Sequence, residues 1–224
     1  MEKNKISLLE FNGNPNIGNF MFANDRLCLI GKQIDKTKTS AIESILNVPV
    51  YEISVLNTDL IGIFIAGNND MIIVPEMFEN ELNELEKICK KHDIKLIQIL
   101  NNKNTYGNNM VVSDEEILIT NQYEKKFDQE LSKKTKLKII RINNQLFDAI
   151  GATIRYLKGK YCISQEYKQE EVKSIINKIA LVGTINKGSN YISAGLIGNS
   201  NGILIGSTSS SVEIQNVVET LDYL

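Results

Sequence analysis

The sequence lacks the long apolar segments of a membrane or secreted protein. Its longest apolar run, LIGIFIAG, is far too short to cross a bilayer, and the opening MEKNKISLLEFNGN holds no apolar stretch of signal-peptide length. Cysteine is scarce as well, since Cys28, Cys89 and Cys162 are odd in number and lie more than sixty residues apart. That spacing favours reduced core thiols over disulfides or zinc ligands. We expect a cytoplasmic protein with no metal site and no cofactor.

An excess of positive charge is also missing. The 224 residues include 25 Lys and Arg against 27 Asp and Glu, so the formal net charge is -2. A protein with this balance has no overall basic field for wrapping duplex nucleic acid, and any such contact must be local. The densest basic run, from Lys133 to Arg141, spans a predicted helix end and the next strand, where lysines are typically solvated.

What the sequence does contain is a repeat. Five glycines recur at intervals of 44, 45, 44 and 44 residues, namely Gly18, Gly62, Gly107, Gly151 and Gly195. Each precedes two strand-like apolar runs separated by a polar or glycine-containing break, which is the pattern of a β-hairpin. The breaks are centred at Asp25, Asn69, Asp114, Lys158 and Gly202. We expect the glycines where the backbone has a positive φ or where modules approach too closely for a Cβ.

Each hairpin is followed by a helical pattern and preceded by a further strand. Apolar residues at three- and four-residue spacing predict one helix per repeat. They are Ile42, Ile45 and Leu46; Leu82, Leu85, Ile88 and Cys89; Phe127 and Leu131; Val172, Ile175, Ile176 and Ile179; and Ile214, Val217, Val218 and Leu221. Before the glycines, the runs ISLLEF, VYEISVL, IKLIQIL, KLKIIRI and IALVGTI predict strands. Each module therefore has three strands plus one helix.

These modules predict an α/β (α+β) fold, a five-bladed propeller with pseudo-fivefold symmetry that forms a single domain over residues 1–224. The repeats run approximately over 1–47, 48–91, 92–135, 136–178 and 179–224. A three-stranded sheet with one helix leaves two edges exposed, and closing five such units into a ring removes the need for end caps. A closed ring is therefore favoured over an open solenoid, and it has no structural need for a second copy, so we expect a monomer.

The glycine-rich stretch GLIGNSNGILIG, residues 195–206, has the composition of a phosphate-binding loop. Such a loop places its glycines between a strand and a helix N-terminus. Here the strand-like ILIG follows the turn instead, and Gly195 and Gly202 occupy the same repeat positions as Gly18 and Asp25. The stretch is predicted to be a hairpin.

The last repeat contains the most specific motif, GTINKGS, which is followed by several spaced residues. The positions concerned are Gly183, Thr184, Asn186, Gly188, Ser189, Ala194, Gly195, Asn199, Gly206, Thr208 and Glu213. Together with IAGNNDMIIVP in the second module and NTYGNN in the third, they resemble the translation initiation factor 6 family over essentially the full length. The chain departs from that family at Ser207, where Asp is usual, and at Ser164 and Gln165, where His-Pro is common.

The resemblance implies a pentein-type α/β ring that binds the large ribosomal subunit at its intersubunit face. The implied partner is a ribosomal protein beside the sarcin-ricin loop, with local contact to ribosomal RNA, and the bound ring blocks joining of the small subunit. No enzymatic reaction and no membrane contact are implied. The mildly acidic balance of the chain suits the basic tails of ribosomal proteins.

Two alternatives remain open. Pentein folds also occur in guanidine-modifying enzymes, in which a cysteine nucleophile works with a histidine and carboxylates. This is disfavoured, because His92 is the only histidine and no cysteine follows Cys162. Cys89 and His92 could meet on one helix face, but Cys89 continues an apolar stripe and His92 lies at the helix end. The other alternative is a ring that binds a small ligand in its central channel.

Loops at one end of the ring are the natural contact surface, because a rigid scaffold presents them. The candidate partner-binding residues are Asn68, Asn69, Asn108, Asn109, Asn186, Lys187, Ser189 and Asn190. No catalytic residue is predicted. For each single asparagine, a purely structural role in a tight turn is an equally open interpretation.

Overall fold

The computed structural model describes residues 5–142, 148–167 and 178–223. Within these ranges, fifteen strands form five three-stranded sheets. The strands are β1 (Ile6–Leu9), β2 (Met21–Ala23), β3 (Cys28–Gly31), β4 (Val50–Ile53), β5 (Ala66–Gly67), β6 (Met71–Val74), β7 (Lys95–Gln98), β8 (Met110–Val112), β9 (Glu116–Thr120), β10 (Lys138–Ile142), β11 (Ile154–Leu157), β12 (Lys160–Ser164), β13 (Ile179–Gly183), β14 (Leu196–Gly198) and β15 (Ile203–Gly206).

The helices are of two kinds. The longer ones are α1 (Lys36–Leu46), α3 (Glu79–Lys91), α5 (Lys125–Thr135) and α8 (Ser211–Thr220). The short ones are a 3-10 turn (Ile17–Asn19) and the single turns α2 (Ile61–Phe64), α4 (Tyr106–Asn109), α6 (Ile150–Thr153) and α7 (Ile192–Gly195). No helix among the described residues is long and apolar enough to cross a membrane.

Every sheet has the same topology. Its first two strands form an antiparallel hairpin, and its third strand pairs in parallel with the second. In the second sheet, for example, Ile73 faces Ala66 across the antiparallel pair and Ile97 across the parallel pair. The fifth sheet takes its third strand from the other end of the chain, because β1 pairs in parallel with β15 and places Ile6 opposite Ile203. This pairing closes the ring, and the predicted five-module propeller is confirmed.

The sheets are offset by one strand from the sequence repeats. The strand at the start of each later repeat, β4, β7, β10 or β13, completes the hairpin of the repeat before it. The five runs predicted as strands before the glycines are confirmed, but the assignment of Ile179 to the fourth helix is wrong, since it is the first residue of β13. The other residues of that helix pattern, Val172, Ile175 and Ile176, lie outside the described residues.

The short helices form an inner ring in which each packs against the next. Gly62, Gly107 and Gly151 each occupy the second position of their turn. A Cβ on Gly62 would lie 1.8 Å from the carbonyl oxygen of Gly18, and a Cβ on Gly107 would lie 1.9 Å from that of Gly62. Their φ values are not positive. Close approach between modules, the second of the two predicted reasons, therefore explains the repeated glycine.

Gly195 is not the fifth member of this inner ring, contrary to the equal spacing in the sequence. The second position of α7 belongs to Ser193, whose carbonyl oxygen would lie 1.9 Å from a Cβ on Gly18. The hydroxyl of Ser193 donates a hydrogen bond to the carbonyl of Ile154 at 2.7 Å. Gly195 ends the turn, where a Cβ would meet the side chain of Ile185 at 2.6 Å. The glycine spacing is preserved, but the structural position shifts by two residues.

The hydrophobic core is shared between neighbouring modules. Ile72 and Ile73 are adjacent in β6, and they face opposite sides of the sheet because strand side chains alternate. Ile72 packs into the cluster that joins the first and second modules, and Ile73 packs into the cluster that joins the second and third, next to Tyr106 and Phe127. Both faces of each sheet are thus buried, which accounts for continuous apolar strands such as MIIV. A single module has no complete core of its own.

Candidate functional site

The two ends of the ring carry different structures. Because the third strand of each sheet runs parallel to the second, hairpin turns lie at one end and the loops after the third strands lie at the other. The hairpin face is formed by the turns within 24–27, 68–71, 113–116, 157–160 and 199–202. The loop face is formed by the short helices, the loops 11–16, 55–60, 99–105 and 185–191, and the first turns of the longer helices. Of the eight predicted residues, Asn68 and Asn69 lie on the hairpin face and the other six do not, so the eight cannot form one contact surface.

Asn68 belongs to a chain of hydrogen bonds between modules. Its buried side chain accepts two amide hydrogen bonds within its own turn, at 3.0 and 3.1 Å, and donates to the carbonyl of Ser113 in the next module at 2.8 Å. Asn24 donates in the same way to the carbonyl of Asn68 at 2.9 Å, and Asn199 donates to that of Asn24 at 3.0 Å. We call Asn199, Asn24 and Asn68 the asparagine ladder. It links the fifth, first, second and third modules.

Asn69 also bonds to a neighbouring module. Its Oδ1 accepts from the amide of Asp25, and its Nδ2 donates to the carboxylate of Asp25, both at 2.8 Å. Burial opposes ionisation of Asp25, but hydrogen bonds from Ser200 and Asn69 outweigh it and lower the pKa of Asp25. These contacts give Asn69 a structural role on the hairpin face.

Asn108 and Asn109 lie in the inner ring. The side chain of Asn109 is buried, and its Nδ2 donates to Oγ1 of Thr105 at 3.0 Å. Asn108 is half-buried and lines a cavity on the axis of the ring. Asn109 therefore has a structural hydrogen bond, whereas Asn108 stays a prediction as a contact residue.

The loop from Ile185 to Ser189 is a tight turn on the loop face. Its end residues exchange two backbone hydrogen bonds of 2.9 and 2.7 Å, and Asn186 and Lys187 have φ values of 50° and 60°. Residues other than glycine rarely adopt this left-handed region. The side chain of Asn186 donates to the carbonyl of Pro15 at 3.1 Å, so it joins this loop to the first module.

Glu213, in the first turn of α8, holds the same loop in place. Its carboxylate accepts from the amides of Lys187 and Gly188 at 3.1 and 2.8 Å, from the hydroxyl of Thr184 at 2.8 Å and from the amide of Ser210 at 2.7 Å. Burial opposes ionisation, but these hydrogen bonds outweigh it and lower the pKa of Glu213 to about 2. The bond to Ser210 is half of a capping box, a pattern readable in the sequence SSVE.

In the second module a glutamate in the first turn of a helix also accepts hydrogen bonds from the amides of a left-handed turn. The buried Glu81, in the first turn of α3, accepts from the amides of Leu56 and Asn57, both at 2.9 Å. These two residues have φ values of 53° and 58°. Sequence reasoning missed Glu81, because no Ser or Thr cap precedes it and the left-handed turn that it supports has no glycine.

The loop face also exposes large apolar side chains. Phe78 precedes α3, Leu100 follows β7, Tyr191 precedes α7 and Val212 lies in the first turn of α8, and they are between 48% and 72% exposed. Among the described residues, the other large apolar side chain of comparable exposure is Leu8, in β1. Scattered single residues of this kind are common, but their concentration at one end of a molecule is typical of an interaction surface.

The remaining predicted residues lie beside this apolar group. Lys187 is exposed, and Ser189 and Asn190 are half-buried next to Tyr191. Asn190 donates to Glu166 at 3.4 Å, while its Oδ1 has no hydrogen-bond partner within the described part of the chain. We call Lys187, Ser189, Asn190 and Tyr191 the candidate contact site.

Comparison with known proteins identifies the family. The sequence model described as the eIF-6 family matches residues 6–220. The chain belongs to the eIF-6 family. It is similar to the Translation initiation factor 6 of Pyrococcus horikoshii, with 27% identity over 98% of this chain and 99% of that protein. It is also similar to the Translation initiation factor 6 of Staphylothermus marinus, with 28% identity over 97% of this chain and 96% of that protein. The resemblance seen in GTINKGS is confirmed.

The fold of this eIF-6 family member is similar to that of a solved structure of a different protein. It is an adduct of dimethylarginine dimethylaminohydrolase with 4-chloro-2-hydroxymethylpyridine, and it aligns with a TM-score of 0.52 and 11% identity over 75% of this chain and 70% of that chain. At this identity the likeness concerns the fold alone. It supports the assignment of the five-sheet ring to the pentein fold.

The thiols of the eIF-6 family member are core groups, as predicted. Cys28, Cys89 and Cys162 are free and buried. Burial raises the pKa of Cys89 and of Cys162 to about 12, and it raises that of Cys28 as well. The Nε2 of His92 lies 2.7 Å from the hydroxyl of Tyr51. Thiols held in the protonated form are poor nucleophiles. Among the described residues, no group of three or more His, Cys, Asp or Glu is placed to hold a metal ion.

Proposed function

We propose that this chain is a ribosome anti-association factor that acts in the cytoplasm. It binds the intersubunit face of the large ribosomal subunit through its loop face, and the bound ring blocks joining of the small subunit. The observation that carries the proposal is the match to the eIF-6 family over residues 6–220, whose curated relatives are named as translation initiation factors. The concentration of exposed apolar side chains on the loop face supports the choice of surface.

A factor that works by occlusion needs a rigid body. The contacts between Gly62 and Gly18 leave no space for even a methyl group, and each core cluster spans two modules, so no module moves independently of its neighbours. A specific interface covers about 800 Å² on each partner. The chain exposes 10775 Å², so one end of the ring offers enough surface for such an interface.

The candidate contact site combines an aromatic side chain, a cation and hydrogen-bonding groups. Tyr191 supplies a large contact area with few rotatable bonds, which is typical of residues that dominate binding energy. Glu213 fixes the backbone that carries Lys187, so binding does not have to order this loop. This arrangement suits a ribosomal protein with RNA phosphates beside it. Asn68, Asn69, Asn109 and Asn186 are already used in structural hydrogen bonds, and the proposal does not rest on them.

The rival function, a guanidine-modifying enzyme, finds no support in the described residues. The three thiols are buried and protonated near neutral pH, as their raised pKa values indicate. The cavity on the axis contains Arg155. The positive charge of that side chain repels a guanidinium substrate.

Co-sedimentation with isolated ribosomal subunits tests the proposal. At two salt concentrations, the purified protein is expected to pellet with large subunits and to remain in the supernatant with small subunits. Tyr191→Ala is expected to weaken binding about tenfold or more, because an aromatic anchor is lost. Lys187→Glu is expected to weaken it most at low salt, because exposed charges are screened at high salt.

The matched control is Lys133→Glu, the same charge reversal at an exposed lysine at the end of α5, near the hairpin face. It is expected to bind like the unmodified protein, and all three variants are expected to keep its melting temperature. Loss of binding in Lys133→Glu, with normal binding in the other two variants, would move the interface to the hairpin face. Pelleting with small subunits alone would contradict the proposed function itself.

A further inference from the structure

A small cavity lies on the axis of the ring, inside the short helices. Its volume is about 50 Å³, and the repeat glycines contribute much of its wall. Asn19, Asn108 and Arg155 also line it. Among the described lining residues, Arg155 carries the sole charge, and no carboxylate is present. The cavity has room for one or two water molecules or an ion of similar size.

Arg155 occupies a position that is apolar in every other module. In β11 it lies opposite Cys162 of β12. The residues with the same register in the other four hairpins are Phe22, Ala66, Val111 and Ile197. These four pack into the clusters between modules, whereas Arg155 places a cation there. Packing between the modules therefore does not require an arginine at this position.

The guanidinium of Arg155 has main-chain partners but no counter-charge. Its Nε and Nη2 donate to the carbonyl of Leu196 at 3.1 and 2.9 Å, and Nη2 also approaches the carbonyl of Ser193 at 3.5 Å. Within the described part of the chain no carboxylate forms a salt bridge with it. Burial lowers the pKa of Arg155 to about 10. A half-buried cation of this kind is less favourable without an opposite charge beside it.

The two asparagines supply further donors. Asn19 and Asn108 each follow a repeat glycine in a short helix, and their side-chain amides have no hydrogen-bond partner among the described residues. Water could satisfy these amides, but it cannot neutralise Arg155. We infer that the axial cavity binds a small monovalent anion, of the size of chloride or formate, against Arg155 with the amides of Asn19 and Asn108. The volume excludes phosphorylated metabolites, and the charge excludes cations.

Bromide provides a direct test, because it scatters anomalously and resembles chloride in size. Crystals grown without halide and soaked in sodium bromide are expected to show an anomalous peak in the axial cavity, within hydrogen-bonding distance of Arg155. In solution, bromide or formate is added at constant ionic strength, with gluconate as the balancing anion because it is too large for the cavity. A saturable rise of about 3–6 °C in melting temperature is expected at about ten times the dissociation constant.

Arg155→Met is expected to lose this rise. The matched control is Arg141→Gln, which removes a surface guanidinium that pairs with Asp128 at 2.7 Å, and it is expected to keep the rise. Equal responses of the unmodified protein and Arg155→Met, or an axial cavity without bromide, would overturn the inference. If Arg155→Met does not fold, Asn19→Ala decides the matter, because a response equal to that of the unmodified protein contradicts the site. None of these measurements involves ribosomes, so their outcome is separate from that of the proposed function.

Discussion

We call the contact zone between two neighbouring modules a seam. The two seams of the fourth module differ from the other three seams of the ring. At three seams a ladder asparagine donates to the main chain of the next module, and the receiving positions are Asn24, Asn68 and Ser113. At the two remaining seams the ladder stops, because Ser113 has no side-chain amide and Leu157 occupies the equivalent turn position of the fourth module. At the seam between the third and fourth modules, the hydroxyl of Tyr156 donates to the carboxylate of Asp114 at 2.9 Å instead.

The difference shows that the ring requires close packing at every seam but not identical polar contacts. The ladder repeats one short side chain, whose bonds are fixed by the turn that carries it. The fourth module uses long side chains instead, Tyr156 toward the third module and Arg155 toward the fifth. Both kinds of side chain bond to partners that are distant in sequence, so the contacts differ in the side chain that makes them and not in their range.

The largest expected effect comes from the packing that all seams share. Gly62→Ala places a methyl group against the carbonyl of Gly18, where a Cβ has only 1.8 Å, so the free energy of unfolding is expected to fall by more than about 3 kcal/mol. Gly195→Ala is the comparison, because its methyl group meets side-chain atoms of Ile185 and Asn186 rather than a backbone carbonyl and is expected to cost less. Urea unfolding measures both. Equal losses would mean that the inner ring is not the tightest part of the molecule.

The next effect concerns the ladder. Asn68→Ala leaves two turn amides and the carbonyl of Ser113 without their partner, and we expect a loss of about 2–3 kcal/mol. The half-buried neighbour Asn69, whose side chain bonds only to Asp25 among the described residues, serves as the comparison, and Asn69→Ala is expected to cost about 1 kcal/mol. Thermal and urea unfolding provide the values. If both variants lose the same stability, the ladder has no special role at these seams.

A third effect concerns the loop 185–191, which the carboxylate of Glu213 holds in place, and it depends on pH. The folded-state pKa of Glu213, about 2, lies below its ordinary value of 4.5, so its ionised form stabilises the protein above that ordinary value. This stability is lost as pH falls toward the folded-state pKa. Glu213→Gln is expected to cost about 2 kcal/mol at neutral pH, and the difference from the unmodified protein is expected to shrink between about pH 5 and pH 2. Urea unfolding across that range checks it, and a constant difference would contradict the hydrogen-bonded carboxylate.

The smallest effect is expected at the fourth module. Arg155→Ile installs the residue that the fifth module has at the equivalent position, Ile197. It removes a half-buried cation but leaves the carbonyl of Leu196 without two hydrogen bonds, and these effects oppose each other. In buffer without small anions, a change of less than about 1 kcal/mol in either direction is expected. A loss above about 3 kcal/mol in urea unfolding would show that the arginine is essential to the seam.

The repeat made much of this fold predictable. The spacing of Gly18, Gly62, Gly107 and Gly151, together with the polar breaks, predicted five hairpins and a closed ring, because backbone contacts between modules leave a visible mark in glycine usage. The pairing of the third strands was not predictable, because an apolar run does not show which hairpin it joins. The sequence also did not predict that Ser193, and not Gly195, occupies the inner-ring position of the fifth module, because Gly195 lies at the interval expected from the other four glycines.

The candidate site was predicted less completely. An asparagine in a turn can contact a partner or bond to its own protein, and the sequence does not distinguish the two. Asn68 and Asn186 are both used in structural bonds. Lys187 and its neighbours stay candidates, whereas the exposure of Tyr191 and the support from Glu81 depend on distant contacts that local patterns do not contain.

The pairing of β1 with β15 sets an order for closing the ring. β1 precedes the other described strands along the chain, and its partner β15, residues Ile203–Gly206, follows them. During synthesis from the N-terminus, β1 therefore stays unpaired until β15 has been made, and the modules made in between form an open arc. The contact between the first strand and the fifth hairpin is the last one that can form.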